Sequence, residues 1–177
     1  MKKTILASLL LATFSTHASE IIAKALTPHL NVHEQIIATT ILQESRGEGQ
    51  RGMYFVAGVI AQRMINRQLH PTTVCRQPRQ FSCWNSGKTL KDVKDLLKTK
   101  EATYASLLAR ALFLSYKNDP LINIKYTSHA DHYYSKRMMK VPPFWAFTTT
   151  WKDGEEIKIP IKPVATVGNH VFYRLKK

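Results

Sequence analysis

The 177-residue chain is short of several things, and each shortage excludes a class of chemistry. It has only two cysteines, Cys75 and Cys83, so neither a cysteine-rich metal cluster nor a disulfide-dense scaffold can be built. After the first 18 residues no apolar run is long enough to cross a bilayer. No serine sits in a Gly-x-Ser-x-Gly turn, and no His-Glu-x-x-His helix is present, which removes the commonest hydrolase nucleophile and the commonest zinc-protease site. Internal repeats and low-complexity linkers are missing too. Acidic residues are scarce: 12 Asp and Glu stand against 26 Lys and Arg, a formal net charge of +14.

The N-terminus has the form of a targeting segment. A basic Met1-Lys2-Lys3 precedes an apolar run over residues 5–14, and Thr16-His17-Ala18 offers small residues before a cut after Ala18. Residues 1–18 are therefore expected to be a signal peptide and 19–177 one exported domain, periplasmic or secreted. In that compartment an even cysteine pair close in sequence is expected to form a Cys75–Cys83 disulfide. The cationic surface suits anionic envelope polymers, and the compartment argues against nucleic acid as a partner. The cations are spread along the chain, so a soluble basic surface remains as good a reading as a dedicated patch.

Periodicity divides the chain into helices first and short strands after. Val32, Ile36, Ile37, Thr40 and Ile41 have helical spacing over residues 32–44, with Asn31 as N-cap and Glu34 completing a capping box. Gly47 and Gly49 stop that helix. Further helices are expected over 53–66, 90–97 and 102–116, with small Ala57 and Gly58 allowing another helix close. Arg63 is expected on the polar side of the second helix, and Asn118-Asp119-Pro120 turns the chain. Strands are expected over 144–149, 156–161 and 168–174, with Asp153-Gly154 at a turn. The fold class is α+β.

Glu44 closes the first helix, after Ile41 and Leu42. A carboxyl set against apolar surface is harder to ionise and can serve as a general acid near neutrality. The loop over 72–87 gathers Gln77, Gln80, Phe81, Ser82, Trp84 and Asn85, a composition that fits either a sugar-binding groove or a plug for the core. His129, His132 and His170, with Asp131, could hold a metal only if the fold brought them together. An exported basic chain with a helix-end Glu fits glycan cleavage better. Glu48 is the nearest second carboxyl, and a one-carboxyl route exists if muramic acid supplies its C6 hydroxyl.

Taken in order, these residues resemble the SleB-type cell-wall hydrolase family. The resemblance rests on Glu44-Ser45-Arg46-Gly47-Glu48, the small-residue helix ending at Asn66-Arg67, Thr73-Val74-Cys75 with Gln80-Phe81-Ser82-Cys83, His132-Tyr133-Tyr134, Phe144-Trp145-Ala146, and the run from Gly168 to Arg174. Ser45 stands where the family more usually has Ala, and the stretch 136–140 is unusually basic. The resemblance implies a single lysozyme-like, lytic-transglycosylase-like domain with a small antiparallel sheet. It implies Glu44 as catalytic acid and then base on peptidoglycan glycan strands, with no cofactor and no metal. Gln80, Ser82, Tyr133, Trp145 and Tyr173 are the expected substrate-binding residues, and Arg46, Glu48 and His170 the supporting ones. An amidase, a hydrolytic muramidase and a non-catalytic wall-binding protein stay open, as does an envelope protein partner.

Overall fold

The computed structural model describes residues 29–116 and 122–175. The expected signal peptide and the turn at 118–120 lie outside them. Among the described residues five α-helices come first: α1 (Val32–Glu44), α2 (Gly49–Arg67), α3 (Pro71–Arg76), α4 (Leu90–Val93) and α5 (Ala102–Ser115). Five strands follow: β1 (His132–Ser135), β2 (Phe147–Lys152), β3 (Glu155–Pro160), β4 (Ala165–Val167) and β5 (His170–Tyr173). This is an α+β arrangement consistent with a lysozyme-like domain. No helix among the described residues is long and apolar enough to cross a membrane.

Helix α1 is the axis of the domain. Its Asn31 side chain accepts from the His33 and Glu34 amides while Glu34 returns a bond to the Asn31 amide, so both ends of the capping box close. Glu34 is buried and also accepts from Arg110 Nε of α5 at 3.0 Å, which joins the two helices. Ile37, Ala38 and Ile41 are fully buried among α2, α3 and α5 in the main core. Fully burying such side chains stabilises by about 1.5–3 kcal/mol each for the larger ones.

Three local departures have physical causes. Helix α2 begins at Gly49, four residues ahead of its expected start. Gly47 and Gly49 both take positive φ, +79° and +62°, so the break and the restart fit into one tight turn. The space beside Gly58 is filled by Thr127 of a loop, not by a second helix; a Cβ there would lie 2.6 Å from both Thr127 Cγ2 and Oγ1. Arg63 is buried rather than on a solvated face. It donates from Nε to the Asp131 carbonyl at 2.8 Å and lies 5.0 Å from the Phe81 ring centroid.

The strands form two sheets. One is antiparallel in the order β1-β5-β4, the other is the β2-β3 hairpin. Asp153 and Gly154 turn the hairpin with positive φ at both positions, as a type I′ turn requires. The stretch expected to be strand from 144 opens instead as a 3-10 turn, Phe144–Ala146, closed by the Ala146 amide on the Pro143 carbonyl. In the β1–β5 register Tyr133 faces Phe172 and Ser135 faces His170, while His132 faces Tyr173. Alternation therefore puts Tyr133, Ser135, His170 and Phe172 on one side and His132, Tyr134, Val171 and Tyr173 on the other. The first side meets α2 through Phe55 and Val59, and the second packs on Ala146 and Trp145.

Candidate active site

Glu44 is the last residue of α1, and its side chain reaches across to two distant parts of the chain. Oε1 accepts from Ser82 Oγ at 2.9 Å and from the Cys83 amide at 2.9 Å. Oε2 accepts from Tyr133 Oη at 2.7 Å. The carboxyl is therefore held by three donors, where the sequence suggested an apolar setting. Ser45 keeps the helix end in place: it is buried, and its Oγ donates to the Ile41 carbonyl at 2.6 Å.

The two oxygens are not equivalent. An amide N–H can only donate, so Oε1 is kept as an acceptor by Cys83. Tyr133 Oη can donate or accept, which leaves Oε2 as the oxygen free to gain or lose a proton. Burial and the Glu44 carboxylate push the Tyr133 phenol well above its usual range, so it stays neutral and able to donate.

Glu44 opens onto a groove of about 300 Å³ lined by Gln43, Arg46, Ser82, Lys88, Ser135, Arg137 and His170 among others. Arg46, Lys88 and Arg137 make its polar rim cationic. Glu44 is the only carboxylate among the described lining residues.

Glu48 has a different task. Its side chain is almost wholly buried, 4% exposed, and both its oxygens accept from the Asn169 amide, at 3.0 and 3.2 Å. It lies against Gly168, whose φ is +53° and whose missing Cβ leaves the room the carboxylate occupies. This contact ties the start of α2 to the β4–β5 turn and so positions His170. His170 is buried, its Nδ1 lies 3.5 Å from Glu48 Oε1, and that nitrogen makes no hydrogen bond. Burial lowers the His170 pKa, with Glu48 and Glu44 opposing the shift.

The other expected site residues scatter in instructive ways. Ser82 and Tyr133 meet at Glu44, and Arg46 and His170 line the groove. Gln80 does not join them: its Oε1 accepts from Arg67 at 3.0 Å, and Gln77 is also bonded to Arg67. Phe81 is 1% exposed and Trp84 donates to Thr40 Oγ1 at 2.8 Å, so the aromatic members of that loop plug the core. Trp145 and Tyr173 pack together, centroids 5.5 Å apart, on the side of the β1–β5 ladder opposite Tyr133. Lys88 and Ser135 reach the groove without having been singled out, and Arg137 comes to it from the unusually basic stretch 136–140.

One further expectation changes. Cys75 and Cys83 are free thiols, not a disulfide. Both are buried in the main core, and burial pushes Cys75 up to about 12 and Cys83 upward as well, which keeps them as neutral thiols with little capacity for exchange. The histidines disperse: His129 pairs with Gln62 at 3.1 Å and His132 with Asp131 at 3.0 Å, while His170 sits by Glu48. Among the described residues no three His, Cys, Asp or Glu side chains converge.

Fold and groove together define an α+β domain with one carboxyl at the head of a cationic cleft, an arrangement suited to acid–base work on an extended substrate. Residues 47–173, more than half of the chain, match the family model described as Cell Wall Hydrolase, and the chain belongs to that family. It is a peptidoglycan-acting hydrolase, and the family places its work outside the cytoplasm. Comparison with curated proteins and with solved structures returned no match. The matched stretch opens at Gly47, just past Glu44, so the reading of Glu44 rests on its geometry.

Proposed function

We propose that the protein is an exported lytic transglycosylase that cleaves the glycosidic bond between N-acetylmuramic acid and N-acetylglucosamine, with Glu44 as both acid and base. The observation that carries this reading is the solitary carboxylate on the groove, gripped by Ser82, Cys83 and Tyr133. Glu48, the nearest alternative in sequence, is committed to the Asn169 amide.

Glu44 Oε2 protonates the glycosidic oxygen as the bond to C1 of muramic acid breaks. Charge develops on the carboxyl as it gives up its proton, and the three donors stabilise it there. The C6 hydroxyl of the same muramic acid then attacks C1 and passes its proton to Glu44. A 1,6-anhydro end forms, and the enzyme returns to its starting protonation. A route with a second enzymic carboxylate would need one across the groove, where the described lining has none. Arg46, Lys88 and Arg137 suit the carboxylates of the stem peptides.

The test is digestion of purified sacculi by the enzyme and by Glu44→Gln. A general acid contributes about 10²–10⁴-fold, so turnover should fall by that factor while sacculus binding persists. Mass spectrometry of the products should find anhydro-muropeptides. Reducing ends would make the enzyme a hydrolytic muramidase, free stem peptides would make it an amidase, and full turnover by Glu44→Gln would remove Glu44 from the chemistry.

A further inference from the structure

The loop between β1 and the 3-10 turn reads Lys136-Arg137-Met138-Met139-Lys140-Val141-Pro142-Pro143-Phe144. Residues 136–141 are all exposed, and among the apolar ones Met138, Val141 and Phe144 are 81%, 72% and 87% exposed. Three exposed apolar tips and three exposed cations within nine residues are not the scattered surface hydrophobes of an ordinary soluble face. From residue 132 to residue 152 the chain has no Asp or Glu, so the patch is cationic without local compensation.

The loop is also held in place. The Lys136 amide donates to the Asn169 carbonyl at 2.8 Å, and the Met138 and Met139 amides both donate to the Ser135 carbonyl. Pro142 and Pro143 restrict the backbone between Val141 and Phe144. The apolar tips are thus presented already ordered, which reduces the entropy lost on docking.

We propose that residues 136–144 are a membrane-docking loop: Met138, Val141 and Phe144 enter the headgroup–acyl boundary of a bilayer while Lys136, Arg137 and Lys140 meet its anionic phospholipid phosphates. Charge complementarity selects this occupant. Apolar tips interleaved with cations match a surface that is anionic outside and hydrocarbon beneath. A glycan chain would need amide or hydroxyl partners beside flat ring faces, and the nine residues contain no Asn, Gln, Ser or Thr and a single aromatic ring. Arg137 and Met138 also line the Glu44 groove, so docking by this loop would open the groove beside the bilayer, toward the glycan strands lying closest to it.

The test is co-sedimentation of the purified protein with vesicles of phosphatidylglycerol and phosphatidylcholine against vesicles of phosphatidylcholine alone. Binding to the anionic vesicles should be about tenfold tighter or more. The double variant Val141→Ser/Phe144→Ser should lose most of that binding, and Lys140→Glu should weaken it and reduce its salt dependence. These side chains are exposed and are not among those lining the Glu44 groove, so the fold is not at stake. Equal binding to the two vesicle types, or binding indifferent to all these substitutions, would overturn the proposal. So would variants that keep vesicle binding but lose sacculus binding, which would assign the loop to the wall. No turnover is needed for the readout, so it stands or fails separately from the chemistry assigned to Glu44.

Discussion

The contact between Glu48 and Gly168 allows a sharp test of how the second half of the chain is locked to the first. A methyl group at position 168 would sit 1.5 Å from Glu48 Oε2 and 2.5 Å from its Cδ, so the carboxylate must leave. Two costs follow from Gly168→Ala. The +53° φ is the left-handed region, worth about 1–2 kcal/mol against a side chain. The displaced carboxylate loses its bond to the Asn169 amide, worth about 1.5–3 kcal/mol for a charged acceptor. The single variant should therefore lose about 2.5–5 kcal/mol in urea unfolding. In a Glu48→Ala background the clash and the bond are both already gone, and only the backbone cost of about 1–2 kcal/mol remains. The four proteins form a double-mutant cycle with a coupling of about 1.5–3 kcal/mol. If the two substitutions simply add, to within about 0.5 kcal/mol, Glu48 does not occupy the space that Gly168 leaves, and the lock is elsewhere.

Further outcomes are expected. Tyr133→Phe removes one donor from Glu44 but leaves the ring packed against Phe172, centroids 5.4 Å apart; turnover on sacculi should fall about ten- to a hundredfold with the unfolding midpoint little changed, and an unaltered rate would count against Oε2 as the working oxygen. His170 is pushed below the ordinary histidine value, so the unfolded chain takes up its proton first; its contribution is complete above about pH 6.5 and is lost as pH falls from there through the folded value. Urea midpoints measured between neutral and mildly acidic pH should drop more steeply for the native protein than for His170→Asn, and equal slopes would refute the assignment.

The place of Glu44 at the end of α1 was legible in the sequence because several local signals agree on it. Asn31 and Glu34 fix where α1 begins, Ile37 and Ile41 fix its inner face, and Gly47 fixes where it must stop. Its partners were only half legible. Ser82 and Tyr133 were expected near a groove, but their convergence on one carboxyl depends on contacts across 38 and 89 residues of chain, which no local pattern encodes. Trp145 and Tyr173 show the opposite failure. The resemblance suggested that both bind substrate, yet strand register decides the side, and one residue of alternation separates Tyr133 from the Tyr134–Tyr173 stack. Gln80 and Arg63 were misread for a common reason. A polar side chain is assigned to solvent or substrate by default, whereas here Arg63 and Arg67 draw the loop inward with their own hydrogen bonds.

The grip on Glu44 is assembled from two segments far from it in the chain, and the later of them, β1, is secured by β5 at residues 170–173. An emerging chain that ends short of that strand holds Glu44 but lacks the full set of donors that fix its carboxyl. A single proteolytic nick ahead of β5 would therefore loosen the strand that carries Tyr133 to Glu44.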